Sequence, residues 1–264
     1  MARMLAVGNI VEVYVPSSEI EAARDLSRAR EDARKDLMRS RHLLSKFLLR
    51  KGIVYESGKT AWTKIHRTWL SSLVFEYPEE QTVFEEYLQG VVFFECRRDR
   101  LDKEIHALAK LDAYAPMVDA LCCLRGISTI TAFAITVEIG DFLRFPNARG
   151  FMAYLGLVPS ESSTGDSTVR GKITRTGNTH LRTLCIESSW HHKRAYKPLS
   201  PAKIKAFENV SSDVIVIAQK ANKRLYDRYR HFIARDKNTN VANVAIAREL
   251  AGFIWAIGRL VQSR

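Results

Sequence analysis

Two long stretches of this chain repeat apolar residues every three or four positions, and that period commits most of its first half to helix. From 17 to about 51 the repeat is Ala22, Leu26, Ala29, Ala33, Leu37, Ser40, Leu44, Phe47 and Leu48, with Arg24, Arg28, Arg30, Arg34, Lys35, Arg39 and Arg41 on the other faces. Ser18 and Glu21 have the spacing of a capping box, and Gly52 stands where a helix C-terminus favours glycine. After Pro78 a second repeat runs from about 79 to 111 through Phe84, Tyr87, Leu88, Val91, Val92, Glu95, Leu101, Ile105 and Leu108. The segment between them, with Gly58, Lys59, Trp62, Lys64, Arg67 and Trp69, reads as a loop. Two long helices joined by a bend predict an antiparallel, coiled-coil-like arm over 17–115. The heptads are imperfect, so a helical hairpin fits better than a strict coiled coil.

The fold class expected is therefore mainly α, a long antiparallel helical arm followed by a compact helical domain over 116–264. Residues 1–16 alternate at Val11, Val13 and Val15 before Pro16, in the manner of a single extended segment. Helices are expected near 117–124, 128–139, 147–155, 178–196, 200–209, 211–235 and 240–262. The last of these, containing VANVAIARELAGFIWAIGRL, reads as a core helix because Arg248 and Glu249 interrupt it. No apolar run reaches the roughly 20 residues that span a bilayer. The net charge of +12, with 46% hydrophobic residues to build a core, favours a polyanionic partner, nucleic acid over membrane. Cys96, Cys122, Cys123 and Cys185 match no zinc spacing. They read as reduced thiols in a cytoplasmic protein, and MARMLAVGNI is not a secretory signal.

Two motifs carry candidate chemistry. In LRGISTITAFAITVEIG a short helix, a glycine turn and a second helix read as a helix-hairpin-helix, in which Gly126, Ser128 and Thr129 offer backbone N–H groups to a DNA phosphate. The alternative is an ordinary packing turn. The second is a run of hydroxyls, Ser160, Ser162, Ser163, Thr164, Ser167 and Thr168, punctuated by Gly165, Gly171 and Gly177 and ringed by Arg170, Lys172, Arg175 and Arg182. Serine is a weak nucleophile, and phosphoryl transfer depends on positioning and on neutralising the equatorial oxygens. The loop can thus be a phosphate-attacking site or a segment that only touches the nucleic-acid backbone. His180, His191 and His192 read as the exposed end of a basic helix. Glu138, Asp141, Glu187 and Asp213 do not form a two-metal set, so no metal ligand is assigned in this chain. The basic segment 220–237, interleaved with Tyr226, Tyr229 and Phe232, reads as a second nucleic-acid-facing helix or as a solvated cationic face.

The run GISTITAFAITVEIGDFLRFPNARGFMAYLGLVPSESSTG, followed by RGKITRTGNTHLR, resembles the C-terminal domain of the insertion-sequence one-ten family of transposases, grouped with the one-sixteen and nine-oh-two elements and with Piv-type DNA invertases. The arm PSSEIEAARDLSRAREDARKDLMRSRHLLSKFLLRKG and the closing VAIARELAGFIWAI are similar to the same family, so the resemblance covers nearly the whole chain. It implies a serine that attacks DNA and becomes covalently linked to it. Ser163, in Ser163-Thr164-Gly165, is the residue assigned, with Ser162 and Thr164 as alternates. Gly165, Gly171, Gly177 and Asn178 would shape the loop, and Arg170, Lys172, Arg175 and Arg182 would supply charge to phosphate. The resemblance also implies a structured bridge RNA as guide and protomers that pair as dimers or tetramers. An upstream RNase-H-like domain would hold magnesium with four acids. MARMLAVGNIVEVYVP resembles the segment just after those acids, so residues 1–16 are expected to be the remnant of that domain. No cofactor is expected in this chain alone. An incomplete transposase, or a non-catalytic nucleic-acid-binding remnant or regulator, are then the two functions in view.

Overall fold

The computed structural model describes residues 14–55, 60–164, 167–205, 207 and 210–263, with backbone alone at 163, 164, 167–170 and 203. Most of the expected extended segment 1–16 therefore lies outside the described residues, as do Gly58 and Lys59. The architecture is mainly α. Contacts divide the chain into two units, one of Leu26–Ile105 and one built from His106–Arg264 with the residues up to Asp25.

The first unit holds most of α1 (Ser18–Arg50) and α3 (Pro78–Leu108), with α2 (Lys64–Ser71) in the bend. Ion pairs fix the direction of the two long helices. Arg30 bonds Asp102, Asp36 pairs with Arg97, Arg41 with Glu95 and Lys51 with Glu80. As one number rises the other falls, which is the register of an antiparallel hairpin. At one end Leu37, Leu44, Phe47, Leu48, Leu70, Phe84 and Val91 form a core, covered by Trp62, Trp69, Phe75 and Tyr87. The bend is not the plain loop its sequence suggests. Thr63 accepts a hydrogen bond from the His66 amide and caps α2, which lays Leu70 into that core. Burial by itself would push the Glu95 carboxyl up, but hydrogen bonds from Arg67 and Arg41 outweigh it and hold the group below the ordinary carboxylate range.

The second unit is organised around α10 (Thr239–Gln262). This helix contacts α4 (Ala115–Cys122), α6 (Ala148–Tyr154), α7 (Thr179–Ser189) and α9 (Ser212–Ile233). Its Ile246, Leu250, Ile254 and Ile257 are buried, as the apolar spacing of that segment requires. Gly258 lets α10 approach the Phe142 ring, which a Cβ would meet at 2.4 Å. None of the described helices is long and apolar enough to cross a membrane. Helix α5 (Thr129–Ile139) is capped by Ser128 at its start and by Gly140 at its end. Its last carbonyls are satisfied by Arg24, which donates to Val137 O at 3.1 Å and Glu138 O at 3.4 Å. The helix expected over 178–196 stops at Ser189 and tightens into a 3-10 turn, Trp190–Lys193, and of the one expected over 200–209 the described part is α8 (Pro201–Lys205), with 206, 208 and 209 outside the described residues.

The largest departure is the hydroxyl-rich segment. It forms an antiparallel ribbon, β1 (Pro159–Thr164) and β2 (Ser167–Ile173), rather than an irregular loop. The reason is local. Strand β2 carries Thr168, Val169 and Ile173, and β-branched residues favour extended backbone.

His192 is also placed differently from its expected exposed position. Its side chain is 0% exposed, and neither ring nitrogen has a partner of ordinary geometry, the Arg125 backbone offering only a poor one. Burial first, then the charges of Arg125 and His191, push its pKa down to about 4. A group whose folded value lies below its unfolded one of about 6.5 contributes stability above the unfolded value, lost as pH falls toward the folded one. Folding stability should therefore drop by up to about 3 kcal/mol between pH 6.5 and 4. Chemical denaturation across that range checks this, and the His192→Gln variant should show a flatter profile.

Candidate functional site

The ribbon brings the serine and threonine residues to one end. The register pairs Ser162 with Val169, Ser163 with Thr168 and Thr164 with Ser167. Glu161 pairs with Arg170, and an irregularity follows between Pro159 and Glu161. Ser163 is four residues beyond Pro159, about 13 Å at the rise of an extended strand. Ser162 and Lys172 are exposed. Gly165 lies outside the described residues, and Ser163, Thr164 and Arg170 are placed by their backbone alone.

A two-stranded ribbon with no further strand is marginal by itself, so its base must hold it. Thr174 N donates to Val158 O at 2.9 Å, Arg175 N to Gly156 O at 3.1 Å and Asn178 N to Tyr154 O at 3.1 Å. Arg182 reinforces these. Its Nη1 donates to Leu155 O at 3.0 Å and Thr176 O at 2.9 Å, and its Nη2 to Thr179 Oγ1 at 2.9 Å. The residue is 8% exposed. Burial and then the neighbouring Arg175 lower its pKa. The arginine that the resemblance gives to phosphate thus faces inward and bonds protein carbonyls. Arg175 does remain on the surface, in a left-handed conformation with φ of 58° that is strained for any residue but glycine.

Asn178 also has a structural task. Its Oδ1 accepts from the Leu181 amide at 3.0 Å and caps α7, while its Nδ2 donates to Glu138 Oε2 at 3.0 Å. Glu138, read from sequence as a scattered acid, is 3% exposed beneath this cap. Gly156 and Gly177 close the base. Each has positive φ, and a Cβ would stand 2.1 Å from Thr176 O at the first and 2.0 Å from Tyr154 O at the second.

The other predicted residues sit elsewhere. Gly126 (φ 90°) packs against Ser188 O and His191 at the opposite end of α7. There Gly126, Ile127, Ser128 and Thr131 face Leu184, Glu187, Ser188 and His191 across a cleft of about 450 Å³. The Ser128 hydroxyl accepts from Thr131 N, and Thr129 begins α5. Helix α7 has 11 residues, so its two ends, one at the ribbon base and the other at the Gly126 turn, stand about 16 Å apart.

Along α9, Arg224 and Arg228 pair with Glu249 of α10, and Lys223 pairs with Asp227. Part of the basic face is thereby neutralised, while Tyr229 is core. Among the described residues no group of three or more His, Cys, Asp or Glu is placed to hold a metal ion. Burial pushes the Cys185 thiol up to about 12, which makes it inert.

The sequence points to the inward Arg182 only weakly: it lies four residues after the helix-capping Asn178, on the face of α7 that carries Leu181 and Cys185. Gly156 and Gly177, which bracket the ribbon, carry the stronger signal.

Residues 118–205, which include the ribbon and its base, match the profile of the transposase IS116/IS110/IS902 family. The chain is 40% identical to a putative transposase, y4qE, of Sinorhizobium fredii over 260 residues, 98% of this chain and 63% of that protein. It is 30% identical to the transposase for insertion sequence element IS1533 of Leptospira borgpetersenii over 247 residues, 90% of this chain and 69% of that protein. A probable family 20 transposase of Pseudomonas aeruginosa is 30% identical over 92% of this chain and 66% of its own length. The chain thus spans under two thirds of the length of the Sinorhizobium relative.

Alanine at Gly177 would meet both positive φ and the Tyr154 carbonyl. Gly177→Ala should lower stability by about 2 kcal/mol or more, seen as a lower thermal midpoint. An unchanged midpoint would contradict the geometry of the base.

Proposed function

Because the chain belongs to the IS116/IS110/IS902 transposase family, we propose that it acts on DNA in transposition, with the ribbon as the element that carries the nucleophile. Ser163 Oγ attacks a DNA phosphodiester. The hydroxyl loses its proton, an Oγ–P bond forms, and the bond from phosphorus to the departing deoxyribose oxygen breaks as that oxygen gains a proton. The observation that carries this reading is the convergence of Ser162, Ser163, Thr164, Ser167 and Thr168 on the free end of a ribbon anchored at its base, with Lys172 exposed on β2 and Arg175 exposed at the base. Arg170, opposite Glu161 and nearest the tip, supplies positive charge for the equatorial oxygens of the transition state, and Lys172 and Arg175, nearer the base, contact the flanking DNA backbone. Gly126, Ser128 and Thr129, at the far end of α7, offer a second contact to the DNA backbone.

A structured guide RNA and paired protomers belong to this reading as partners, on the strength of the resemblance. So does magnesium held by four upstream acids. The described residues supply no ligand set that fits such an ion, and no step here runs through one.

A DNA substrate that traps the covalent intermediate tests the reading. The adduct should form with Ser162→Ala and Thr164→Ala and be abolished by Ser163→Ala. An unchanged adduct in Ser163→Ala would refute that assignment. DNA binding with no adduct in any variant would support the non-catalytic nucleic-acid-binding alternative. Arg175 offers a separate test. Arg175→Gly relieves a left-handed backbone, worth about 1 kcal/mol, while removing a charge. It should raise stability yet weaken DNA binding, with the slope of log K against log salt falling by about 0.9.

A further inference from the structure

We propose that Arg182 is the positioning residue of the ribbon: it fixes the direction in which Ser163 is presented, and it does so without touching DNA. This rests on the nucleophile reading above and adds a residue that acts through another.

The geometry is specific to such a role. Leu155 precedes the ribbon and Thr176 follows it, and one guanidinium nitrogen bonds both carbonyls, at 3.0 and 2.9 Å. The other terminal nitrogen bonds Thr179 Oγ1 in the first turn of α7. Arg182 thereby ties the incoming chain, the outgoing chain and the supporting helix at one point. Arginine suits this because its planar fork holds several donors in fixed directions, whereas a lysine ammonium is a point charge on a flexible stem. No acid is needed at this point, since carbonyls take the hydrogen bonds.

Leverage makes the point matter. The ribbon extends about 13 Å from Pro159 to Ser163, so a tilt of about 5° at the base moves the serine by about 1 Å. A misplacement of that size costs about 100-fold in the rate of a positioned reaction. No second sheet corrects the tilt among the described residues.

The test uses the full chain and separates binding from chemistry. For Arg182→Lys, DNA affinity should stay within about threefold and the salt slope should not change, because no phosphate contact is lost. Adduct formation at saturating DNA should slow by about 100-fold. Arg182→Met should slow it further, placing the conservative variant between the two. Loss of affinity with a salt slope lower by about 0.9 and a full rate at saturating DNA would make Arg182 a phosphate ligand and overturn the proposal. So would an unchanged rate in a folded Arg182→Lys protein. If the unaltered chain forms no adduct, the nucleophile reading is what fails. Hydrogen exchange then still decides the anchor. Faster exchange of the Thr174 and Arg175 amides in Arg182→Lys, with α10 amides unchanged, supports it, and unaltered exchange at both overturns it.

Discussion

The attachment of the ribbon at residues 154–158 and 174–182 is the constraint on which the candidate site depends. A two-stranded ribbon buries little and gains nothing from a neighbouring sheet, so its direction is set at its root. Two glycines make that root possible, since each stands with its α-carbon hydrogens where a methyl would overlap a carbonyl oxygen. The Arg182 guanidinium then bonds the Leu155 and Thr176 carbonyls that flank it. A buried cation is costly unless hydrogen-bonded, and here three acceptors meet the need.

What lies beneath the root is equally determined. Asn178 caps α7 and reaches the buried Glu138 of α5, so the helix that carries Arg182 is tied to α5. Helix α10 holds the layer together from below through its apolar face. Polar pairs close gaps around it: Ser189 bonds Asn243, and Asn222 bonds the Arg125 amide and the Cys123 carbonyl. The last two fix the turn that carries Gly126 and Ser128. Both candidate regions are thereby built on the two ends of one short helix.

Periodicity made the helices legible. The segment expected over 240–262 is Thr239–Gln262, and that over 128–139 is Thr129–Ile139. Strand character was hidden because β1 reads Pro-Ser-Glu-Ser-Ser-Thr, with no apolar alternation to reveal a half-buried strand. Helix α2 was hidden because eight residues give little more than two turns of pattern. The burial of Arg182 and His192 is hidden from the sequence for a common reason. Their burial depends on carbonyls and side chains brought in from segments such as 155, 176 and 125, and no local pattern carries that information. The family signature, by contrast, was written in contiguous residues, and the match over 118–205 falls on them.

Ser163, the second of the two adjacent serines in Pro-Ser-Glu-Ser-Ser-Thr-Gly-Asp, is the residue whose Oγ is proposed to join DNA. The most direct measurement is peptide mapping by mass spectrometry of the protein after reaction with a trapping DNA substrate and nuclease digestion. A nucleotide mass on the peptide containing residues 159–170, localised by fragmentation to Ser163, is the result this account requires. A nucleotide localised to any other residue would contradict it.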